Sequence, residues 1–378
     1  MHNHTILPEA LHLNQQGEDF FSQQCFQEAL SAFRAAHQLQ PDWVVPLNNL
    51  GVVHWQTGQY QEALINMMEA YRHDPYHKET VQNLIDMMLA LEKRESAFLI
   101  ARGYLRKYPD DMLIQEKVRG VRPTIRIVHH MARSGGTIIS KCLGCMNNVL
   151  LLSEIHPKGG RWFDPIIQAH QWFGMFDSAE IREGCLTEMP FLEKISRIYE
   201  KAYGRKKTLI IRDWTHLDYT AKPFVENPSY ELTTALVLDQ QFEVLHIATV
   251  RHPIDQWLSL RNLSVMKDQL TLDQFLLGYR KFAEKAREIG FIRYEEFIQD
   301  PPHVMKILCD RLQLAFNPDF LQKWFLYTTI TGDTDNLRVP KTSISVIPKR
   351  PMESCLRKYF ETSKDYWISI ELLGYDNT

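Results

Sequence analysis

The sequence predicts a multidomain chain of the α plus α/β type, in which a helical repeat domain precedes an α/β domain with a parallel sheet. Small residues and prolines recur every 34 positions through the first 111 residues, a spacing typical of stacked helix pairs. From about Thr124, short runs of β-branched and aliphatic residues alternate with longer amphipathic segments, as in an α/β domain. We therefore expect a repeat domain over residues 1–120 and an α/β domain over residues 121–378.

Equivalent positions of the N-terminal region hold the same type of residue in successive repeats. They are Gly17 and Gly51; Ala29, Ala63 and Ala97; Ala36 and Ala70; and Pro41, Pro75 and Pro109. This spacing resembles the tetratricopeptide repeat (TPR), a helix pair with small residues where the helices touch and proline at the exit. Three units fit, over residues 10–43, 44–77 and 78–111, and the third is degenerate because Ile85 replaces the glycine.

Stacked TPR units leave a concave groove, because each helix pair can bury its apolar face only against its neighbours. Two interpretations remain open. The groove holds a peptide or protein partner, or the repeats are a structural extension that supports the second domain. A repeat fold alone does not decide between them.

Five short apolar runs predict the strands of a parallel sheet covered by helices on both faces. They are residues 124–130, 149–154, 209–214, 245–252 and 291–297. The amphipathic segments 190–204 and 271–290 predict two of the helices between them. Ligands of such sheets bind beyond the carboxyl ends of the strands, so we expect the functional site at that edge.

The loop after the first run, RSGGT at residues 133–137, is suited to an anion. Its two glycines let the backbone bend closely, and the amides from Gly135 onward open a helix whose N-terminus favours negative charge. Arg133 adds a cation with bidentate capacity, and Thr137 adds a hydroxyl donor. A glycine-rich turn without a ligand is the alternative interpretation.

This loop departs from the nucleotide-binding patterns that it superficially resembles. The triphosphatase loop is G-x-x-x-x-G-K-[ST], whereas Gly136 precedes Thr137 here and Ala132 stands where the first glycine is expected. Lys141 comes one helical turn too late. The pattern G-x-G-x-x-G is also absent, so a dinucleotide-binding fold is not expected.

A second polar group follows the fourth run, where Arg251 and Ser259 are eight positions apart in RHPIDQWLS. If Pro253 begins a helix, both side chains can point back to the strand edge and bind a second phosphate group. A third element, YEEFIQDP over residues 294–301, puts Tyr294 at the end of the last run, where its aromatic face could meet a base.

In this order, RSGGT, R-x-P-x-D-x-x-x-S and Y-E-E-x-x-x-D-P resemble the sulfotransferase family over about residues 124–375. Within that family, the three motifs are most similar to those of the tyrosylprotein-type and bacterial sulfotransferases. The resemblance implies a P-loop-like α/β sulfotransferase domain that uses 3′-phosphoadenosine 5′-phosphosulfate (PAPS) as donor and releases 3′-phosphoadenosine 5′-phosphate (PAP). It assigns the 5′ side of the donor to Arg133, Ser134, Gly135, Gly136, Thr137 and Ile138, the 3′-phosphate to Arg251 and Ser259, and the adenine to Tyr294.

The family often closes over its donor with a basic C-terminal segment. On that basis Arg350 is a candidate donor ligand, in a stretch that also contains Gly332 and Asp333. Lys341 and Lys349 are interpreted as a solvated basic loop.

Sulfuryl transfer to a hydroxyl needs a base for the acceptor proton and cations for the developing charge, which adds Arg133 to the catalytic candidates. Glu154 ends the second run, 21 residues after Arg133, where tyrosylprotein sulfotransferases have a similarly placed carboxylate base. His216 resembles the Thr-His pair of cytosolic sulfotransferases, although Trp214 replaces the lysine usual there. We favour Glu154. The alternatives are a structural ion pair for Glu154 and a buried strand-end histidine for His216.

Composition narrows the class of protein further. Lys plus Arg number 43 and Asp plus Glu number 46, for a net charge of −3, so no nucleic-acid partner is expected. Neither a signal peptide nor a membrane-spanning apolar stretch is evident. Six scattered cysteines are typical of a reducing cytoplasm, the localisation that we predict. Cys142 and Cys145 form a lone CxxC, interpreted as packing residues, and no metal is expected.

The sequence therefore favours a PAPS-dependent sulfotransferase whose TPR module recruits the acceptor or a partner. The acceptor is left open between a peptide or protein, a carbohydrate and a small molecule. Two rivals remain: an inactive sulfotransferase-like TPR scaffold, and a P-loop nucleotide kinase, against which the missing GK[ST] argues.

Overall fold

The structure is a computed structural model that describes residues 6–160, 163–263, 266, 269–332, 343–345 and 350–376. The chain forms two compact units, Met1–Pro123 and Thr124–Thr378. The first is helical and the second combines helices with a parallel sheet, so the predicted fold class is confirmed. None of the helices in the described part of the chain has the length and apolar character that a bilayer crossing requires.

Helix pairs build the first unit, and they recur with the period seen in the sequence. Their bounds are α1 Pro8–Ser22 and α2 Phe26–Leu39, α3 Val44–Gln56 and α4 Tyr60–His73, and α5 Lys78–Ala90 and α6 Arg94–Leu105, followed by α7 Met112–Lys117. Pro41, Pro75 and Pro109 come after the second helix of each pair, where a residue without an N–H cannot continue the helix.

The two helices of a pair fit together by matching a small residue with a large one. A Cβ on Gly17 would lie 2.5 Å from the ring of Phe33, and the second pair repeats this contact between a glycine and a methionine. In the third pair the sizes are exchanged, because buried Ile85 takes the glycine position and buried Ala101 takes the large one. The degenerate repeat therefore keeps a small residue opposite a large one.

A line of amide side chains joins the three pairs. Asn49 donates to Asn14 Oδ1 at 3.2 Å, Asn48 donates to Asn49 Oδ1 at 3.3 Å, and Asn83 donates to Asn48 Oδ1 at 3.0 Å. Because polar groups that are buried need partners, this line favours one register between neighbouring pairs.

The second unit contains a sheet in which the paired strands are parallel, in the order β2–β3–β1–β4–β5. The strands are β1 Thr124–His130, β2 Val149–Ile155, β3 Thr208–Asp213, β4 Glu243–Val250 and β5 Phe291–Arg293. Since all of them point the same way, their carboxyl ends meet at one edge. The polar residues that follow the strands are thereby brought to that edge.

Helices connect these strands and follow the last one. They are α8 Gly136–Gly144, α9 Pro165–Phe173, α10 Ser178–Glu183, α11 Phe191–Gly204, α12 His216–Thr220, α13 Thr233–Asp239, α14 Pro253–Leu260, α15 Leu272–Ile289, α16 Tyr294–Gln299, α17 Pro301–Arg311, α18 Phe320–Lys323, α19 Ser354–Thr362 and α20 Lys364–Leu373. Short 3₁₀ turns cover Leu186–Glu188 and Trp324–Leu326. Pro253 begins a helix, which was the condition stated for Arg251 and Ser259 to point back to the strand edge.

The fifth strand is shorter than the apolar run predicted, because the segment from Tyr294 is helical. Glu296 accepts hydrogen bonds from the backbone N–H of Arg293 at 3.3 Å and from Arg293 Nε at 2.9 Å. Together with Glu295, it places negative charge in the first turn, where a helix favours it. The prediction of strand over residues 294–297 was wrong for this reason.

Helix α8 packs on one face of the sheet behind the glycine-rich loop. Ile139 and Cys142 are fully buried in an apolar cluster with Val128 of β1 and Ile210 of β3. Cys145 is partly buried against the same cluster. Both cysteines of the CxxC therefore contribute to apolar packing.

Candidate functional site

The loop between β1 and α8 is held tightly by two aromatic rings. A Cβ on Gly135, which has a φ of 87°, would lie 2.1 Å from the ring of Tyr294. A Cβ on Gly136 would lie 2.4 Å from the ring of His130. Arg133 also has a positive φ, of 67°. Both glycines are therefore required by close packing, which fixes the path of the loop.

This loop presents hydrogen-bond donors that the fold leaves without acceptors. The hydroxyl of Ser134 is buried and has no partner among the described residues. The first N–H groups of α8, from Gly136 to Ile138, have no intrahelical acceptor because of their position at the helix start. A buried hydroxyl beside such amides fits a bound anion.

Arg133 and Arg251 connect this loop with the Arg251–Ser259 segment, and Arg350 bonds to the same segment. Arg133 Nε donates to Ser259 Oγ at 2.9 Å, and Arg251 Nη1 donates to the carbonyl of Arg133 at 3.3 Å. Arg350 Nη1 donates to the carbonyl of Leu258 at 2.6 Å. The structure thus brings the predicted residues of the first two motifs into direct contact and adds Arg350 beside α14. Their binding of a donor stays a prediction.

The second and third motifs are also joined to each other and to the loop. Gln256 Nε2 donates to the carbonyl of Ala132 at 2.8 Å. Glu295 Oε1 accepts the backbone N–H of His252 at 2.9 Å, at the start of α14. Sequence reasoning did not identify Glu295 as this link, although the acidic pair after the last run was a usable signal.

Tyr294 lies beneath the loop and is 6 % exposed. The guanidinium carbon of Arg251 lies 5.0 Å from the centroid of its ring, and Gly135 packs on the same residue. Burial raises the pKa of the Tyr294 hydroxyl, which therefore stays protonated at neutral pH. In this arrangement the ring supports the loop and the Arg251 side chain, and its contact with an adenine stays a prediction.

Glu154 projects from an irregularity at the end of β2. The pairing register of β2 with β3 shifts between Ser153 and Ile155, and Glu154 has a positive φ of 55°. Its Oε1 lies 3.4 Å from Arg212 Nη2, and its side chain is 17 % exposed. A non-glycine residue in this conformation is strained, and such strain tends to occur at functional sites.

Arg212 is a central residue of the site that sequence reasoning missed. Its side chain is almost fully buried at the end of β3. Nε donates to His130 Nε2 at 2.7 Å, Nη1 donates to Ser153 Oγ at 2.8 Å, and Nη2 donates to Thr137 Oγ1 at 3.1 Å. A buried cation is costly unless it is paired, and an arginine directly after three aliphatic residues in the run LIIRDW was the available signal.

Arg212 influences the ionisation of His130 and also bonds to the segment at Thr331. Burial, followed by the charge of Arg212, holds the pKa of His130 well below its usual value, so this ring is neutral and accepts the hydrogen bond.

The carbonyl of Thr331 also accepts a hydrogen bond from Arg212 Nη1 at 2.9 Å. A Cβ on the next residue, Gly332, would lie 3.2 Å from Thr137 Oγ1 and 3.3 Å from Glu154 Oε1. These side chains and the backbone of Gly332 form what we call the reaction corner: Thr137, Glu154, Arg212 and Gly332.

His216, the other candidate base, lies at the start of α12 and is 1 % exposed. Its Nε2 and the hydroxyl of Thr220 are 3.0 Å apart, and its Nδ1 has no partner among the described residues. Burial lowers the pKa of His216 to about 4. The ring is therefore neutral near pH 7 and closed to solvent, whereas the carboxylate of Glu154 is accessible. This difference favours Glu154 over His216 as the candidate base.

The buried His216 has a measurable consequence for acid stability. Its pKa is about 4 in the folded protein and 6.5 in an unfolded chain, so the unfolded state binds the proton more readily as the pH falls. The contribution of His216 to the free energy of unfolding is fully present above about pH 6.5 and is lost as the pH falls from 6.5 to 4. His216→Gln should reduce the fall in the free energy of unfolding between pH 7 and pH 4.5 by about 2–3 kcal/mol, measured by urea denaturation. The same change at exposed His303 should have no such effect, and an equal fall in both variants would contradict a buried neutral His216.

Three residues named in the sequence analysis, Asp333, Lys341 and Lys349, lie outside the described residues.

No protein-family model and no curated protein sequence matches the chain. Among solved structures, the sulfotransferase domain from the curacin biosynthetic pathway is 16% identical with a TM-score of 0.42, over 67% of this chain and 98% of that one. A sulfotransferase from Alicyclobacillus acidocaldarius is 15% identical with a TM-score of 0.36, over 68% of this chain and 97% of that one.

The similar structures also include the first TPR domain of Spaghetti bound to an HSP90 peptide. It is 18% identical with a TM-score of 0.28, over 30% of this chain and 90% of that one. At such identities and TM-scores, a function has to be argued from the geometry of the site itself.

Proposed function

We propose that the second unit transfers a sulfuryl group from PAPS to a hydroxyl acceptor. The observation that carries the proposal is the arrangement of two groups of hydrogen-bond donors and one carboxylate along a single sheet edge. The loop donors lie in the middle, the Arg251–Ser259 group lies on the β4 side, and Glu154 lies on the β2 side. PAPS matches this order, because its 5′-phosphate lies between its 3′-phosphate and its reactive sulfuryl group.

In this proposal, the loop and the first turn of α8 hold the 5′-phosphosulfate. The unpartnered hydroxyl of Ser134 and the amides from Gly136 to Ile138 supply uncharged donors, and Thr137 adds a second hydroxyl. Arg251 and Ser259 hold the 3′-phosphate, with Arg350 next to them. Arginine suits these positions because its planar fork can donate two parallel hydrogen bonds to a phosphate.

The chemical step uses the reaction corner. Glu154 takes the proton of the acceptor hydroxyl while the acceptor oxygen forms a bond to sulfur. The bond between sulfur and the bridging oxygen of the 5′-phosphate breaks, and its electron pair stays on that oxygen. The products are a sulfate ester and PAP. Arg212, held rigidly by its hydrogen bonds, places a fixed positive charge beside Thr137, where negative charge develops.

The helical unit is proposed to recruit the acceptor or a protein partner through the concave face of its stacked pairs. Its support is the repeat architecture, since stacked pairs of this kind expose a continuous groove suited to an extended peptide.

A thermal shift assay tests the donor part of the proposal. PAP at one hundred times its dissociation constant should stabilise the protein by about 2.7 kcal/mol, raising Tm by roughly 5–10 °C. ATP with Mg²⁺ is the matched control and should have a much smaller effect. Stabilisation by ATP with Mg²⁺ alone would favour the nucleotide kinase, and no response to either ligand would favour the inactive scaffold.

A further inference from the structure

The peptide that joins Arg251 to His252 is hydrogen-bonded on both of its polar sides. It lies between the end of β4 and the start of α14, so its carbonyl and its N–H belong to neither element. The hydroxyl of Tyr279 donates to the carbonyl at 2.6 Å, and Glu295 Oε1 accepts the N–H at 2.9 Å. Side chains thus supply the partners that backbone groups need, and together they fix the plane of this peptide.

A second tyrosine holds Glu295 in place. The hydroxyl of Tyr375, which follows α20, donates to Glu295 Oε2 at 3.0 Å, so each carboxylate oxygen has its own donor. Tyr375 is itself held by Arg293. The guanidinium carbon of Arg293 lies 5.6 Å from the centroid of the Tyr375 ring, and its Nη1 donates to the carbonyl of Gly374 at 2.5 Å.

We call Tyr279, Glu295 and Tyr375 the peptide brace. They belong to α15, to α16 and to the segment after α20, and α20 packs against α15. Burial raises the pKa of both tyrosine hydroxyls well above its usual value, so both keep the protons that they donate at neutral pH. An ionised carboxylate between them can only accept hydrogen bonds, which suits Glu295 to its two donors.

The braced peptide begins at a residue of the candidate donor site. The side chain of Arg251 donates to the carbonyl of Arg133 at 3.3 Å, and its guanidinium carbon lies 5.0 Å from the centroid of the Tyr294 ring. A fixed peptide removes backbone freedom from Arg251, so less freedom remains to be lost when its guanidinium binds a ligand. Such preorganisation increases affinity without adding a contact.

We infer that the peptide brace positions Arg251 for the 3′-phosphate of the donor, which makes Tyr279, Glu295 and Tyr375 positioning residues. This inference rests on the proposed function, in which Arg251 binds that phosphate, and it adds the residues that set the orientation of Arg251. The brace acts through Arg251 and does not touch the reacting atoms. It should therefore change the affinity for the donor and not the rate of the chemical step.

Removal of single hydroxyl groups tests the brace. Tyr279→Phe and Tyr375→Phe should each weaken the binding of PAP about threefold to tenfold in isothermal titration, while adenosine 5′-phosphate binds as it does to the wild type. With labelled PAPS, the KM for the donor should rise by the same factor, and kcat at saturating donor should stay within about twofold. Tyr366→Phe is the matched control and should change none of these values, because its ring lies 6.3 Å from that of His252 but is not part of the brace.

Two variants of Glu295 separate its hydrogen bonds from its bulk. Glu295→Gln keeps an oxygen for the N–H of His252, and its amide can donate to the oxygen of Tyr375, so PAP should bind within about threefold of the wild type. Glu295→Leu is similar in size but has no acceptor, and it should weaken PAP binding about tenfold or more. Equal affinities of the two variants for PAP would contradict a brace made of hydrogen bonds.

A double-mutant cycle tests whether the brace acts through Arg251. Once Arg251 is replaced by alanine, there is no side chain left to position. The double variant Arg251→Ala with Tyr279→Phe should therefore bind PAP as Arg251→Ala alone does. A further threefold to tenfold loss in the double variant would show that Tyr279 supports the site in general, and it would overturn the inference.

The same measurements separate failure of the inference from failure of the proposed function. If PAP does not bind to the wild type, the proposed function fails. If PAP binds to the wild type but equally well to both tyrosine variants, only the inference fails. An equal loss of affinity for PAP and for adenosine 5′-phosphate in these variants would also overturn the inference, because the brace would then not be specific for the 3′-phosphate.

Discussion

Glu154→Gln should lower the rate of sulfuryl transfer by roughly 10²–10⁴-fold while the protein still binds PAP. Glutamine keeps the size of the side chain and its hydrogen-bonding oxygen next to Arg212, but it cannot take the acceptor proton. Residue 154 has a positive φ, and this backbone conformation strains glutamate and glutamine to the same extent. Single-turnover assays with labelled PAPS measure the chemical step, and the thermal shift with PAP measures donor binding.

Glu284→Gln is the control for Glu154→Gln, because Glu284 is also a carboxylate paired with an arginine in the second unit. It should leave the transfer rate unchanged. A Glu154→Gln protein that turns over within about threefold of the wild type would remove Glu154 as the base, since a positioned general base contributes far more than that.

Arg251→Ala should weaken the binding of PAP by roughly 10–100-fold, because a hydrogen bond to a charged group contributes about 1.5–3 kcal/mol. The loss should be specific for the 3′-phosphate. Isothermal titration with PAP and with adenosine 5′-phosphate, which lacks that group, should show a large loss for the first ligand and a small one for the second.

The specificity of this loss matters because Arg251 also contacts the loop and the ring of Tyr294. If its removal only disturbed the loop, both ligands would lose affinity equally, and the 3′-phosphate assignment would be wrong. Arg261→Ala, at the exposed end of α14, is the matched control and should bind both ligands as the wild type does.

Local patterns in the sequence predicted most of the fold. The small residues of the repeats and the apolar runs of the sheet each report contacts made within one helix pair or one strand, so their spacing is visible in a single sequence. The run at residues 291–297 was misread as a strand because of its aliphatic and aromatic residues. The contacts of Glu296 with Arg293 instead stabilise a helix that begins at Tyr294.

The candidate site was predicted unevenly for a related reason. The glycine-rich loop, Arg251 and Ser259 lie in short motifs, and the structure brings them together at one edge. Arg212 belongs to no such motif. Its role depends on partners from β1, β2 and α8 that are 59 to 82 positions away.

By itself, the sequence determined that helix pairs precede a parallel α/β sheet, and that residues suited to an anion follow two of its strands. Only the tertiary structure decided which polar groups surround Glu154 and that His216 is closed to solvent. The physical reason is distance along the chain. Periodicity and helix starts depend on neighbours a few residues away, whereas Arg133 meets Ser259 across 126 positions and Ser153 meets Thr331 across 178.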